Sequence, residues 1–157
     1  MEPSASPSFP REVIEAFVGA TVAAFQELTD TVVERIPFAE ARTPNTDVYA
    51  TIVLRHEPPG RMILSFPVAT LESLAGRYLA GAAALTPELV DDAAGEFANV
   101  IAGQAKTMLK GTPDHFLLST PLVVRERDSR SGPERESTAI LHFECDAGNF
   151  RLEIVHW

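Results

Sequence analysis

Residues 92–106 read DAAGEFANVIAGQAK, and how this stretch divides its side chains decides how the chain is organised. At about 100° of rotation per residue, Leu89, Ala93, Phe97, Val100, Ile101, Gln104 and Met108 fall in one broad arc, the expected buried side of a helix. Asp92, Glu96, Asn99 and Gly103 fall in a narrow stripe roughly 130° away by the same arithmetic, with Lys106 at its edge. Gly95 and Gly103 each cost a helix interior roughly 1 kcal/mol relative to alanine, which points to close approach by something. Gly103 lies in the polar stripe, where a missing side chain leaves room for a partner. Gly95 sits at the flank and fits either a partner or internal packing. Rotation alone leaves open whether the stripe is a site or a solvated face.

The helix has readable ends. Thr86-Pro87-Glu88 places a threonine N-cap, a proline at the first helical position and an acid in the opening turn. Gly111 and Pro113 stop it, which predicts a span from about Pro87 to Leu109. Upstream, Val13, Ile14, Phe17, Val18, Thr21, Val22, Ala24, Phe25 and Leu28 recur with helical spacing from Arg11 to about Thr29. TVVERIPFAEARTP (31–44) follows, β-branched at its start and broken by Pro37, the pattern of an irregular edge strand. Val48, Ala50, Ile52 and Leu54 then alternate, PPG turns, and Met62, Leu64 and Phe66 alternate again: a β-hairpin. Pro67 closes it, and Val68–Leu79 is a second helix ended by Gly81. After the signature stretch, STPLVVRER (119–127), STAILHFEC (137–145) and NFRLEIVHW (149–157) read as three strands separated by turn-rich links. This order predicts an α+β domain, a mainly antiparallel sheet packed by about three helices, over residues 11–157. Residues 1–10, with three prolines and three serines, read as a flexible leader.

Composition narrows the function. The 157 residues carry 22 acids against 13 basic residues, a net charge of -9, with no basic cluster to follow a phosphate backbone, so nucleic acid is not an expected partner. No apolar run approaches the roughly 18 residues of a membrane span and no signal design opens the chain; a cytoplasmic protein is expected. Cys145 is the lone cysteine and, alternating with Leu141 and Phe143, reads as a small apolar residue. His56, His115, His142 and His156 show no metal-ligand spacing, and His142 and His156 read as structural or exposed. Ser119-Thr120 before Pro121 reads as the start of a strand, there being no nucleophile elbow, and GTPDHF (111–116) lacks a Walker lysine.

The pattern D-x-x-G-E-x-x-N-x-x-x-G-x-A-K resembles the signature helix of the CheC/CheX/FliY family of chemotaxis phosphatases, in its single-site CheX form. The likeness extends outward. RMILSFPVATLESLAGRYLAG (61–81) resembles the family's strand and helix, STPLVVRER its following strand, HFECDAGNFRLEIVHW (142–157) its closing hairpin, and EAFVGATVAAF (15–25) its opening helix. The resemblance implies hydrolysis of the phosphoaspartate on a CheY-like receiver domain, with Glu96 and Asn99 as the functional pair. Asn99 would orient the attacking water, and Glu96 would anchor the receiver's active-site lysine. Asp92, Gly103 and Lys106 would help contact the partner. No cofactor is expected on this chain, with Mg²⁺ expected in the receiver. Two-site members repeat E-x-x-N on the first helix, whereas here Glu15 is followed by Val18, which implies one site per chain. The CheX type further implies a homodimer, for which the closing strand 149–157 is a candidate sheet edge. A scaffold that binds a receiver without turnover is the alternative. Because many receivers are themselves acidic, Lys106 and nearby arginines would have to supply local charge complementarity.

Overall fold

A computed structural model describes residues 10–37, 46–56, 59–80, 84–125 and 138–156. Residues 1–9 of the leader, 38–45 with the rest of the expected edge strand, 57–58, 81–83 with Gly81, the link 126–137 and Trp157 lie outside the described residues. In order the elements are α1 (Arg11–Thr29), β1 (Glu34–Ile36), β2 (Val48–Arg55), β3 (Gly60–Phe66), α2 (Val68–Tyr78), α3 (Pro87–Met108), β4 (Leu117–Leu118), β5 (Leu122–Val124), β6 (Thr138–Cys145) and β7 (Gly148–His156). The seven strands form one antiparallel sheet in the order β1-β6-β7-β3-β2-β4, with β5 also paired to β2. The expected α+β architecture is the one observed.

Alternation fixes which sheet face meets the helices. Val48, Ala50, Ile52 and Leu54 of β2 and Met62, Leu64 and Phe66 of β3 are buried, as are Leu141, Phe143, Phe150, Leu152 and Ile154 of β6 and β7. They join Phe17, Phe25, Leu71, Leu74, Phe97 and Ile101 of the three helices in one core. Four phenylalanines meet at its centre: Phe25 lies 5.0 Å from both Phe97 and Phe150, and Phe66 lies 5.3 Å from Phe150, centroid to centroid. Edge and tilted ring contacts of this kind add to what their burial contributes.

Two expectations about strands change. β7 pairs with β6 on one side and β3 on the other, so the closing strand is not a sheet edge and offers no free ladder to a second copy. A strand with both rows of backbone groups satisfied cannot template pairing; the edges are β1 and the β4/β5 side. Of STPLVVRER, the described strand is only Leu122–Val124, paired with β2; it begins after Pro121, which cannot donate to the ladder, and a separate short piece, Leu117–Leu118, pairs with β2 just before it.

The β6–β7 turn holds the tightest backbone. Gly148 sits at φ 131°, and a Cβ there would land on Thr70 Oγ1 of α2. Around it, Cys145 Sγ donates to Gly148 O at 3.3 Å, and Arg77 Nη1 donates to Asp146 Oδ1 at 2.8 Å and to Thr31 Oγ1 at 2.9 Å. Cys145 is half-buried, and burial raises its thiol pKa. Gly148→Ala should therefore cost about 2–5 kcal/mol, combining a strained φ with overpacking, and lower the thermal midpoint by roughly 10 °C. An unchanged melting curve would contradict this packing. His142 is buried on β6; burial first, then the Arg151 charge, push its pKa below the ordinary value while Glu153 opposes them. It is a structural residue, as its lack of a ligand-like spacing implies.

Candidate functional site

The site is built on α3, whose ends form as the sequence requires. Thr86 Oγ1 accepts from Leu89 N at 3.2 Å, Pro87 opens the helix, and Gly111 lies beyond its end at φ 85°. The helix packs against α1, α2, β2, β3 and the short β4 and β5, and this enclosure shifts its buried arc from the expected one. Val90, Ala93, Ala94, Gly95, Phe97, Ala98, Ile101, Ala102 and Ala105 are buried. Leu89, Val100 and Gln104 are only partly covered, and Met108 is 50% exposed. The arc turns roughly 80° toward the sheet by rotation per residue, because the alanines let α3 lie close to β2. Gln104 instead reaches α1, where its Nε2 donates to Glu27 Oε1 at 3.2 Å.

The polar stripe survives this correction. Asp92 and Asn99 are exposed, and Glu96 is partly covered. Neither Glu96 nor Asn99 has a hydrogen bond or ion pair to another described residue, so both side chains are available to a partner. Residues three apart on a helix face have Cβ atoms about 5–6 Å apart, close enough for one carboxylate and one amide to address a single target. An open groove of ≈ 410 Å³ runs beside them. Asp91, Asp92, Gly95, Glu96 and Asn99 line it from α3, and Thr120, Pro121 and Val123 line it from the β4–β5 side.

The groove gathers Asp92, Glu96 and Asn99 but not Gly103 or Lys106, which continue the stripe toward the helix C-terminus. A Cβ at Gly103 would meet nothing within 4 Å, so that position faces open space and its glycine serves no internal packing. Gly95 resolves the other way. It is buried, and an added Cβ would lie 3.5 Å from Val123 Cγ2 and 3.6 Å from Pro121 Cγ, which makes it a packing residue under the β4–β5 segment.

Sequence reasoning missed the far wall, Thr120, Pro121 and Val123, and the ion pair at its end, where Arg125 Nε donates to Asp91 Oδ1 at 2.8 Å. The proline inside an apparent strand was the available signal. Ser119 does act structurally, as the reading of a strand start requires: its hydroxyl accepts from Val53 N at 3.0 Å and donates to Thr120 O at 3.0 Å. Among the described residues no group of three or more His, Cys, Asp or Glu side chains is arranged to hold a metal ion. No helix among them is long and apolar enough to cross a membrane.

The fold is an antiparallel sheet covered on one face by three helices, one of which presents an unengaged acid–amide pair beside an open groove. The family model for the chemotaxis phosphatase CheX matches residues 48–144, and the chain belongs to that family. Solved structures agree on the fold. A CheX chemotaxis protein from Desulfovibrio desulfuricans superposes with a TM-score of 0.76 at 20% identity, over 92% of this chain and 99% of that one. The CheX of Vibrio vulnificus gives 0.77 at 22% identity, over 94% and 99%. The CheX–CheY–BeF3–Mg²⁺ complex of Borrelia burgdorferi gives 0.76 at 17% identity, over 91% and 96%. No curated protein sequence matches the chain.

Proposed function

We propose that the protein is an aspartyl-phosphate phosphatase that stimulates dephosphorylation of a CheY-like receiver domain. The observation that carries this reading is the pairing of unengaged Glu96 and Asn99 on the exposed stripe of α3, in a chain of the CheX family. The Borrelia burgdorferi relative's complex with CheY, BeF3 and Mg²⁺ supports the same class of partner.

The chemistry asks little of the enzyme. A phosphoaspartate is a mixed anhydride, and its hydrolysis needs a water held in line with the phosphorus, opposite the aspartyl oxygen. Asn99 enters the receiver's site and fixes that water: its amide oxygen accepts a water proton and its NH2 group donates, with no added negative charge beside the phosphoryl group. The water oxygen bonds to phosphorus, the bond to the aspartyl oxygen breaks, and inorganic phosphate and a free carboxylate result. Glu96 accepts from the receiver's lysine in a charge-assisted bond that sets the docking register. Mg²⁺ is held by the receiver and neutralises the phosphoryl oxygens there. Asp92, Gly103 and Lys106 extend the contact along α3.

One site per chain follows from α1. Glu15 is exposed and pairs with Arg11 at 3.3 Å, while Val18 packs against the core, so the first helix has no matching amide. The reading puts the protein in the cytoplasm with its receiver, and as a homodimer; pairing through β1 leaves the groove at the opposite sheet edge open.

Glu96→Lys should weaken receiver binding about thirtyfold or more, a loss of at least 2 kcal/mol for reversing one partner of an interfacial charge pair. The rate at saturating receiver should fall much less. Titration with a beryllofluoride-loaded receiver measures the first, and an unchanged Kd would remove Glu96 from the anchor role. The function itself is tested by mixing the protein at substoichiometric amounts with phosphorylated receiver and following phosphate release. Multiple turnovers are expected; tight binding with unchanged decay would make the protein a scaffold instead.

A further inference from the structure

The edge opposite α3 carries one residue more than the strand it pairs with. Leu118 lies across from Leu54 and Leu122 across from Thr51, so four steps along the edge match three on β2. This is a β-bulge. Ser119 secures it from both sides of the ladder: its N–H donates to Val53 O at 3.1 Å, and its hydroxyl accepts from Val53 N at 3.0 Å. Thr120 is left outside the ladder and exposed, and Pro121 has no N–H to lose.

The bulge is held against the site helix rather than hanging free. Pro121 and Val123 lie over buried Gly95, within 3.5–3.6 Å of where a Cβ would sit. The Arg125–Asp91 ion pair ties the end of β5 to α3 one turn before Gly95. The result is a fixed wall across the groove from Glu96 and Asn99, with the Thr120 side chain at its exposed rim. Bulges beside sites commonly re-aim a side chain in this way.

We infer that Thr120 is a specificity-determining residue, and that the bulge reads the receiver loop that settles beside Asn99. This rests on the receiver reading of the α3 site. For Asn99 to reach a water at the phosphoryl group, the loops around the receiver's aspartate must descend onto α3, and one of them must occupy the adjoining groove. The wall offers it a hydroxyl, a proline ring and a valine, with Arg125 paired to Asp91. With Asp91, Asp92 and Glu96 on the facing side, the loop it accepts presents a small side chain without negative charge, and a bulky or acidic one is refused by size and by like-charge repulsion.

The test is binding of a beryllofluoride-loaded receiver, with turnover measured alongside. Thr120→Arg fills the groove and should raise Kd tenfold or more, leave the thermal midpoint unchanged, and keep kcat at saturating receiver within about twofold. Thr120→Ser should bind within about threefold of the wild type. Leu122→Gln alters the same edge where the side chain is 64% exposed and outside the groove, and should bind as the wild type does. An unchanged Kd for Thr120→Arg would overturn the inference, as would equal weakening by Leu122→Gln. A receiver that binds without being turned over defeats the phosphatase reading alone, since the Thr120 effect is read in Kd. If no receiver binds the wild type, both fall.

Discussion

Asn99→Ala should slow receiver dephosphorylation at saturating receiver at least about a hundredfold, the usual cost of misplacing a reacting group, while leaving the fold untouched. The separation of effects follows from where Asn99 sits. Its side chain is exposed on the middle of α3 and has no hydrogen bond or ion pair to another described residue, so truncation breaks nothing within the chain. Alanine is also the better helix former, and the melting midpoint should hold or rise slightly. What disappears is the amide that holds the water. Receiver affinity should change only modestly, because Glu96 and the groove walls remain, and kcat and KM should therefore part company. Asn99→Asp sharpens the point: it keeps the shape but sets a carboxylate beside the phosphoryl group, and it should be slow as well. Full activity in Asn99→Ala against a receiver that the wild type turns over would contradict the mechanism.

Phe97→Ala should produce the largest loss of stability, about 3–5 kcal/mol for an aromatic ring removed from a close-packed core. Phe97 projects from α3 away from Glu96 and Asn99, and is fully buried. Its ring lies 5.0 Å from Phe25, 5.6 Å from Tyr78 and 6.4 Å from Phe66, so it joins the site helix to α1, α2 and the sheet at once. With total stabilities of domains near 5–15 kcal/mol, this loss should lower the thermal midpoint by roughly 10–20 °C. The activity of the molecules that remain folded should persist in the cold, since neither Glu96 nor Asn99 is altered. That pairing of outcomes distinguishes a residue that supports the site from one that acts in it. A midpoint within a degree or two of the wild type would mean the α3 core is not packed as described.

How far the sequence could be read depended on whether the signal was local. The ends of α3, the β2–β3 hairpin and the edge character of β1 were all legible, because caps, alternation and an interrupting proline act within a few residues. The stripe of Asp92, Glu96 and Asn99 was legible by rotation, although rotation could not distinguish a site from a solvated face. The interior position of β7 was not legible. It depends on β3 returning beside it from over eighty residues away in the chain, as the pairing of Met62 with Ile154 records, and no nearby residue encodes that.

The buried arc of α3 was misjudged for a related reason. Large apolar side chains mark a buried face most clearly in a sequence, yet Ala94, Ala98, Ala102 and Ala105 are buried here and let the helix lie close to its neighbours. Met108, in contrast, lies over Gly19 of α1 with half its surface in solvent. Thr120 was read as strand chemistry because a bulge is visible only in the register of two strands. Once Leu118 and Leu122 are set against Leu54 and Thr51, the extra residue and the groove wall it forms are plain.

The central claim is that the α3 stripe delivers Asn99 to the phosphorylation site of a receiver while Glu96 holds its lysine. The most direct measurement is a crystal structure of this chain bound to a receiver loaded with beryllofluoride and Mg²⁺. The Asn99 amide should lie within hydrogen-bond distance of a water in line with the beryllium, and Glu96 should pair with the receiver's active-site lysine. A complex in which the receiver docks elsewhere, leaving Glu96 and Asn99 in solvent, would contradict it.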